Sequence, residues 1–111
     1  MWVMTMFDLP VETSLQRRRY AKFRATLLKW GYYTLQKSTY VKYCQSEDYC
    51  HTIRKMVAQI APAEGVVNSF SFTDLEFERQ DFLRDGKRAS PPAKPLQMEF
   101  FQRFQIHDLS F

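Results

Sequence analysis

The sequence predicts an α+β fold, and three observations favour it. The 111 residues are 45% hydrophobic and 25% charged, an ordinary globular balance. Their number suits one domain with its own core. Stretches rich in β-branched and aromatic residues also alternate with longer stretches in which apolar residues recur at helical spacing. We therefore expect one domain that contains both strands and helices.

The first stretch, Met1 to Pro10, is an uncharged apolar run that ends at Asp8. Apolar residues fall on both alternating sides, which is typical of a central strand covered on each face. Pro10 cannot donate to a ladder, so the strand must end near Asp8. A carboxylate that emerges from a buried strand needs a donor, a cation or a metal as its partner. Asp8 is therefore the first candidate site residue.

The second stretch predicts a helix that begins after Thr13 and runs to Trp30, closed by Gly31. Thr13 and Gln16 have the spacing of a capping box. The apolar stripe recurs at helical spacing and consists of Tyr20, Phe23, Leu27 and Trp30. We expect this stripe to face the core.

The charge of this helix is one-sided. No Asp or Glu occurs between Thr13 and Ser46, whereas Lys and Arg are frequent there, in a chain of net charge +4. A solvated surface is the plain interpretation, but Arg17 to Arg19 are expected in the first turn, where the helix dipole disfavours cations. The pattern therefore indicates a polyanion partner. The candidate residues for binding nucleic acid are Arg17, Arg18, Arg19, Lys22, Arg24 and Lys42.

The middle of the chain predicts a strand, a helix and a strand. Tyr32 to Tyr43 is rich in β-branched and aromatic residues and predicts one long strand. Ser46 is expected to cap an amphipathic helix from Glu47 to Ala61. A further strand follows from Gly65 to Thr73, before an acid that resembles Asp8 in its position.

The C-terminal part is less regular. Asp74 to Asp85 is expected to form a turn and a short edge strand. Residues 86–95 predict a basic, proline-rich linker. Leu96 to Phe104 predicts a last strand, so we divide the chain into a domain (1–85), a linker (86–95) and a C-terminal strand with its tail (96–111).

The two cysteines, Cys44 and Cys50, match no zinc-binding pattern, so reduced thiols are expected. The N-terminal apolar run has no basic segment before it and is too short for a signal peptide or a membrane span. We therefore expect a cytoplasmic protein without a membrane partner.

The order strand, helix, strand, strand, helix, strand matches the βαββαβ arrangement of the ferredoxin-like fold. This fold hosts many functions. One of them is an RNA-recognition module, in which aromatic residues on two strands stack bases. The strand from Gly65 to Phe72 lacks the basic residue and the glycine-aromatic alternation of that module, which argues against it.

A more specific resemblance covers about Met1 to Phe82 and rests on the segments WVMTMFDLP, RRRYAKFRATLLKWGYYTLQKSTYVKYC and EGVVNSFSFTD. In their order and spacing these resemble the small CRISPR-associated spacer-acquisition protein found beside type II effectors. That family is commonly named an endoribonuclease and is the dimeric partner of the spacer integrase.

The resemblance implies a ferredoxin-like homodimer in which the two Asp8 carboxylates lie close together and hold Mg²⁺ or Mn²⁺. It also implies that the dimer bridges integrase subunits and holds double-stranded DNA through phosphate contacts. The C-terminal strand would complete a sheet or dock the integrase through Leu96, Met98 and Phe100.

Two functions therefore remain open. The chain is either a DNA-binding scaffold of CRISPR adaptation that retains metal-dependent nuclease activity through Asp8, or an enzyme proper, a metal-dependent ribonuclease of toxin-like type. One carboxylate per subunit is a sparse catalytic site. The sequence therefore favours the scaffold.

Overall fold

The protein is described by a computed structural model that covers residues 1–95. These residues belong to two compact units, of which the first is Met1–Gln80 and the second begins at Asp81. The predicted C-terminal strand, with its candidate residues Leu96, Met98 and Phe100, lies outside the described residues.

The first unit is a four-stranded antiparallel sheet with helices. The strands are arranged in the order β2-β3-β1-β4. This order and the succession of elements confirm the predicted α+β, ferredoxin-like βαββαβ fold. The elements are β1 (Trp2–Asp8), α1 (Ser14–Lys29), β2 (Tyr33–Gln36), β3 (Thr39–Tyr43), α2 (Glu47–Ile60), β4 (Val66–Phe72) and α3 (Asp74–Glu78).

The two faces of the sheet are covered differently. On one face, Val3 and Phe7 of β1 join the core with residues of α1 and α2. Phe7 packs edge to face on Phe23 of α1, with ring centroids 5.1 Å apart. On the other face, Trp2 stacks on Phe77 of α3 at 4.2 Å. Farther along that face, large apolar side chains remain exposed.

The strand predicted over Tyr32 to Tyr43 is wrong as a single strand, because Lys37 and Ser38 form a turn between β2 and β3. Gln36 pairs with Thr39 across this turn, and a register shift lies just before it. Both halves have the same mixed aromatic and β-branched composition, so propensity alone did not reveal the reversal. The stretch therefore forms two strands, which are the second and third strands, in chain order, of the predicted βαββαβ arrangement.

The segment Asp74 to Asp85, for which a turn and a short edge strand are expected, begins instead with helix α3 (Asp74–Glu78), and its short strand is Leu83–Arg84. The first turn of α3 is held by a capping box, in which Glu76 N donates to Thr73 Oγ1 at 3.1 Å and Thr73 N donates to Glu76 Oε1 at 3.0 Å. The signal was present in the sequence, since Thr73 is followed three residues later by Glu76.

The described part of the second unit is a β-hairpin of β5 (Leu83–Arg84) and β6 (Lys87–Arg88). Asp85 and Gly86 form the turn with φ of 53° and 75°. Two consecutive residues with positive φ are typical of a type I′ turn, which Asp-Gly favours. Lys87 and Arg88, assigned to a linker from the sequence, are therefore part of a strand. No helix within residues 1–95 is long and apolar enough to cross a membrane.

Candidate metal and nucleic-acid sites

Asp8 is the last residue of β1 and is exposed. It pairs with Val66 of β4 and shares its sheet face with Met6, two residues earlier. This face is opposite the one on which α1 and α2 pack. Asp8 therefore projects from the end of a central strand, as predicted, on the side of the sheet that bears exposed apolar residues.

The backbone around Asp8 is fixed by Gly65, which precedes β4. Gly65 has φ of 87°, and a Cβ at this position would lie 2.5 Å from the carbonyl oxygen of Asp8. No real Cβ can approach an oxygen so closely without a backbone shift. The close approach of these two backbones therefore requires glycine at position 65.

The donor set for a metal within one chain is small. No group of three or more His, Cys, Asp or Glu side chains that could hold a metal occurs among the described residues. Mg²⁺ usually binds through one or two carboxylates and keeps several waters. A single Asp8 supplies the smallest number of carboxylates with which Mg²⁺ binds. Two Asp8 side chains from two copies of the chain would supply two.

The α1 cations are all exposed, and the helix begins at Ser14, so Arg17 is its fourth residue. Arg17 to Arg19 therefore lie at the end of the first turn and in the second, not within the first turn as predicted. The effect of the helix dipole fades within one turn. The repulsion between the dipole and the charges of Arg17 to Arg19 is therefore smaller than the sequence suggested.

Two of the predicted cations already have partners within the chain. The Arg17 guanidinium donates to the carbonyl oxygens of Val11 at 3.1 Å and Glu12 at 2.9 Å. Arg19 forms an ion pair with Glu64 at 3.2 Å. Arg17 thus holds the β1–α1 loop, and Arg19 ties α1 to the loop before β4.

The other α1 candidates are exposed and make no recorded side-chain hydrogen bond or ion pair in the described part of the chain: Arg18, Lys22 and Arg24. At 100° per residue they spread over the outer surface of the helix. We call these three residues the free α1 cations. They are available to an anion without breaking a contact within residues 1–95.

Lys42 does not belong to this surface. It pairs with Val3 across β3 and β1, which places it on the helix-covered face, and it is only 4% exposed. Its Nζ lies 5.7 Å from the ring centroid of Tyr49. Burial lowers the pKa of the Lys42 ammonium, with an opposing contribution from Cys44. The prediction that Lys42 contacts phosphate is therefore not supported. Lys42 lies in an inner strand whose residues from Tyr40 to Tyr43 are all buried.

The cysteines lie in the core as free thiols, Cys44 1% and Cys50 0% exposed. Burial, with the neighbouring Cys50, raises the pKa of the Cys44 thiol to about 12. A thiol that stays protonated is a poor nucleophile. These surroundings fit the expectation that both cysteines are reduced residues that pack in the core.

The fold and these residues define a class: a small ferredoxin-like domain that carries one acidic residue at the exposed end of its first strand and cations on its first helix. The family model described as "CRISPR associated protein Cas2" matches residues 1–80. The chain belongs to the Cas2 family.

Curated relatives named "CRISPR-associated endoribonuclease Cas2" are similar over most of the chain. The relative from Parvibaculum lavamentivorans is 36% identical over 101 residues, which cover 91% of this chain and 100% of the relative. The relative from Paracidovorax avenae is 37% identical over 101 residues, covering 91% and 94%. The relative from Ligilactobacillus salivarius is 37% identical over 87 residues, covering 78% and 86%.

Proposed function

We propose that this chain acts in CRISPR spacer acquisition as a homodimeric scaffold that holds duplex DNA and bridges integrase subunits. The observation that carries the DNA-binding part is the set of free α1 cations, exposed and without partners among the described residues. Cations of this kind bind phosphates without reading sequence. A spacer scaffold must accept DNA of any sequence, which suits such contacts.

The homodimer is supported by the sheet face opposite the helices. Met6 is 41% exposed, Phe70 38% and Val66 57%, and all three lie on this face along the second half of β1 and the paired part of β4, with Asn68 opposite Met6. Exposed apolar residues grouped on one face of a small domain are typical of an interaction site. A second copy of the chain that covers this face would bring the two Asp8 residues toward each other.

Asp8 supports a metal-dependent activity in such a dimer. Two Asp8 carboxylates would hold Mg²⁺ or Mn²⁺, because nearby carboxylates repel unless a cation or a proton intervenes. When bound, the metal would supply Lewis acidity and activate water toward a phosphodiester. The chain's own contribution is the position of Asp8, which pairs with Val66 of β4 next to Gly65.

The second candidate is a metal-dependent endoribonuclease of toxin-like type. Exposure of Asp8 favours it, as do the names of the relatives, which call those proteins endoribonucleases. RNA cleavage requires the carboxylate itself, whereas a scaffold requires the cations.

Asp8→Asn tests the two functions against each other, because it removes the charge with little change in shape. The scaffold predicts that the variant still binds duplex DNA and still supports integration by the integrase in a reconstituted reaction. Loss of integration by a folded Asp8→Asn dimer would contradict the scaffold. Mg²⁺-dependent RNA cleavage by the wild type, abolished in the variant, would favour the enzyme.

A further inference from the structure

The hairpin of the second unit has two chemically different faces. Arg84 pairs directly with Lys87 across the strands, next to the turn. Because side chains alternate along a strand, Phe82 shares the face of Arg84, whereas Asp81 and Arg88 lie on the other face. We call the side with Phe82, Arg84 and Lys87 the cationic hairpin face.

The opposite face is neutralised within the hairpin. Arg88 forms an ion pair with Asp81 at 3.0 Å. Both side chains are 78% exposed, so the pair contributes little to stability, but it removes the net charge on that side. No ion pair of Arg84 or Lys87 is recorded within residues 1–95.

The cationic hairpin face places like charges directly opposite each other, which destabilises a hairpin on its own. Other contacts hold the arrangement. The Asp85–Gly86 turn has the positive φ values that a tight hairpin needs. The Ala89 amide donates to the Phe82 carbonyl oxygen at 2.9 Å, and the Arg84 guanidinium lies 5.6 Å from the centre of the Phe82 ring. These contacts hold the hairpin backbone, from which Arg84 and Lys87 project on one face.

We propose that the cationic hairpin face is a second phosphate-binding element, which contacts the backbone of duplex DNA. This inference rests on the proposed function, which supplies the duplex. Two cations side by side on a two-stranded ribbon relieve their mutual repulsion when an anion lies between them. A guanidinium that lies over an aromatic ring keeps its N–H donors free for a phosphate oxygen.

Salt dependence of duplex binding by the full chain tests the proposal. Each phosphate contact contributes about 0.9 to the slope of log affinity against log salt, so Arg84→Gln with Lys87→Gln should reduce the slope by about 1.8. At 100 mM salt, affinity should fall on the order of tenfold. Asp81→Asn with Arg88→Gln is the matched control: it alters the other face of the same hairpin, leaves net charge unchanged, and should leave the slope unchanged.

A second measurement does not depend on any variant. Bound duplex should protect Lys87 from acetylation at least severalfold, while Lys55 on the exposed surface of α2 reacts equally in free and bound protein. An unchanged slope in the Arg84/Lys87 variant, or equal acetylation of Lys87 with and without DNA, would overturn the hairpin contact. If the Arg84/Lys87 variant binds duplex as the wild type does, and only substitutions of the free α1 cations weaken binding, the proposed function stands and the hairpin contact is wrong. If the wild type binds no duplex, the proposed function and the hairpin contact are both wrong.

Discussion

Gly65 lies so close to Asp8 that a Cβ at position 65 would be 2.5 Å from the carbonyl oxygen of Asp8. The positive φ of Gly65 adds a second obstacle to any larger residue. We predict that Gly65→Ala lowers the free energy of unfolding by about 2 kcal/mol or more, since it combines left-handed strain with a backbone clash. Urea unfolding measures this loss.

Gly31→Ala is the control for this prediction. Gly31 also has positive φ, at 92°, but its added Cβ would meet only the flexible end of Lys42, at 3.0 Å. This variant should cost about 1 kcal/mol, from the φ strain alone. Equal losses at the two glycines would mean that the contact with Asp8 does not constrain position 65.

Lys42→Met should stabilise the protein at neutral pH by about 1 kcal/mol, because a thioether of similar length replaces a buried charge without an ionic partner among the described residues. Duplex affinity and its salt dependence should not change, since Lys42 is inside the domain. Thermal unfolding and DNA titrations of the same preparation measure both effects. Lys55→Met, at an exposed position, should change neither stability nor affinity.

The difference in unfolding free energy by which Lys42→Met is more stable than the wild type should become smaller as the pH rises. The pKa of Lys42 lies below its ordinary value of 10.5 in the folded protein. The unfolded chain therefore holds more protons in the interval below 10.5, and wild-type stability gains from rising pH there. Burial raises the pKa of Tyr32 and Cys44 to about 12, which lowers alkaline stability in both proteins. The Lys42 charge also lowers the pKa of Cys44, so the comparison between wild type and variant is made below the pKa of about 12 of that thiol. A stability advantage of the variant that grew with pH in this range would contradict the assignment.

Met6→Lys should disrupt the proposed dimer and leave a monomer. Met6 lies in the middle of the exposed apolar sheet face, and a lysine there would have to be desolvated at the interface of two copies. Light scattering at micromolar concentration should show the mass halved while the circular dichroism is retained. Leu28→Lys, on the outside of α1 with 38% exposure, should leave the mass unchanged. A wild-type monomer would remove the basis for a shared Asp8 site.

The fold was largely predictable because local signals agreed with tertiary packing. Ser46 caps α2, and Thr13 with Gln16 caps α1, as their spacing indicated. The turn at Lys37 and Ser38 contains no glycine, proline, asparagine or aspartate, and Ser38 alone is a weak turn signal. The Asp85–Gly86 turn and the capping box at Thr73 do have sequence signals, an Asp-Gly pair and a Thr followed three residues later by Glu.

The candidate sites were less predictable, because charge along a sequence does not reveal partners in space. Arg17 and Lys22 look alike in the sequence, yet one holds backbone carbonyls of the preceding loop and the other is free of recorded contacts within residues 1–95. Lys42 belongs to the same basic stretch and is buried. Lys42 is buried because β3 lies between β2 and β1 and is covered on both faces, which the basic composition of the stretch does not show.

In the proposed function, the free α1 cations hold duplex DNA by its phosphates. The most direct test is the salt dependence of duplex binding by Arg18→Gln with Lys22→Gln, measured by fluorescence anisotropy with several unrelated sequences. Lys55→Gln is the control for loss of an exposed positive charge. The account predicts a slope lower by about 1.8 and a uniform loss of affinity for all sequences. A slope equal to that of the wild type, in a folded variant, would contradict it.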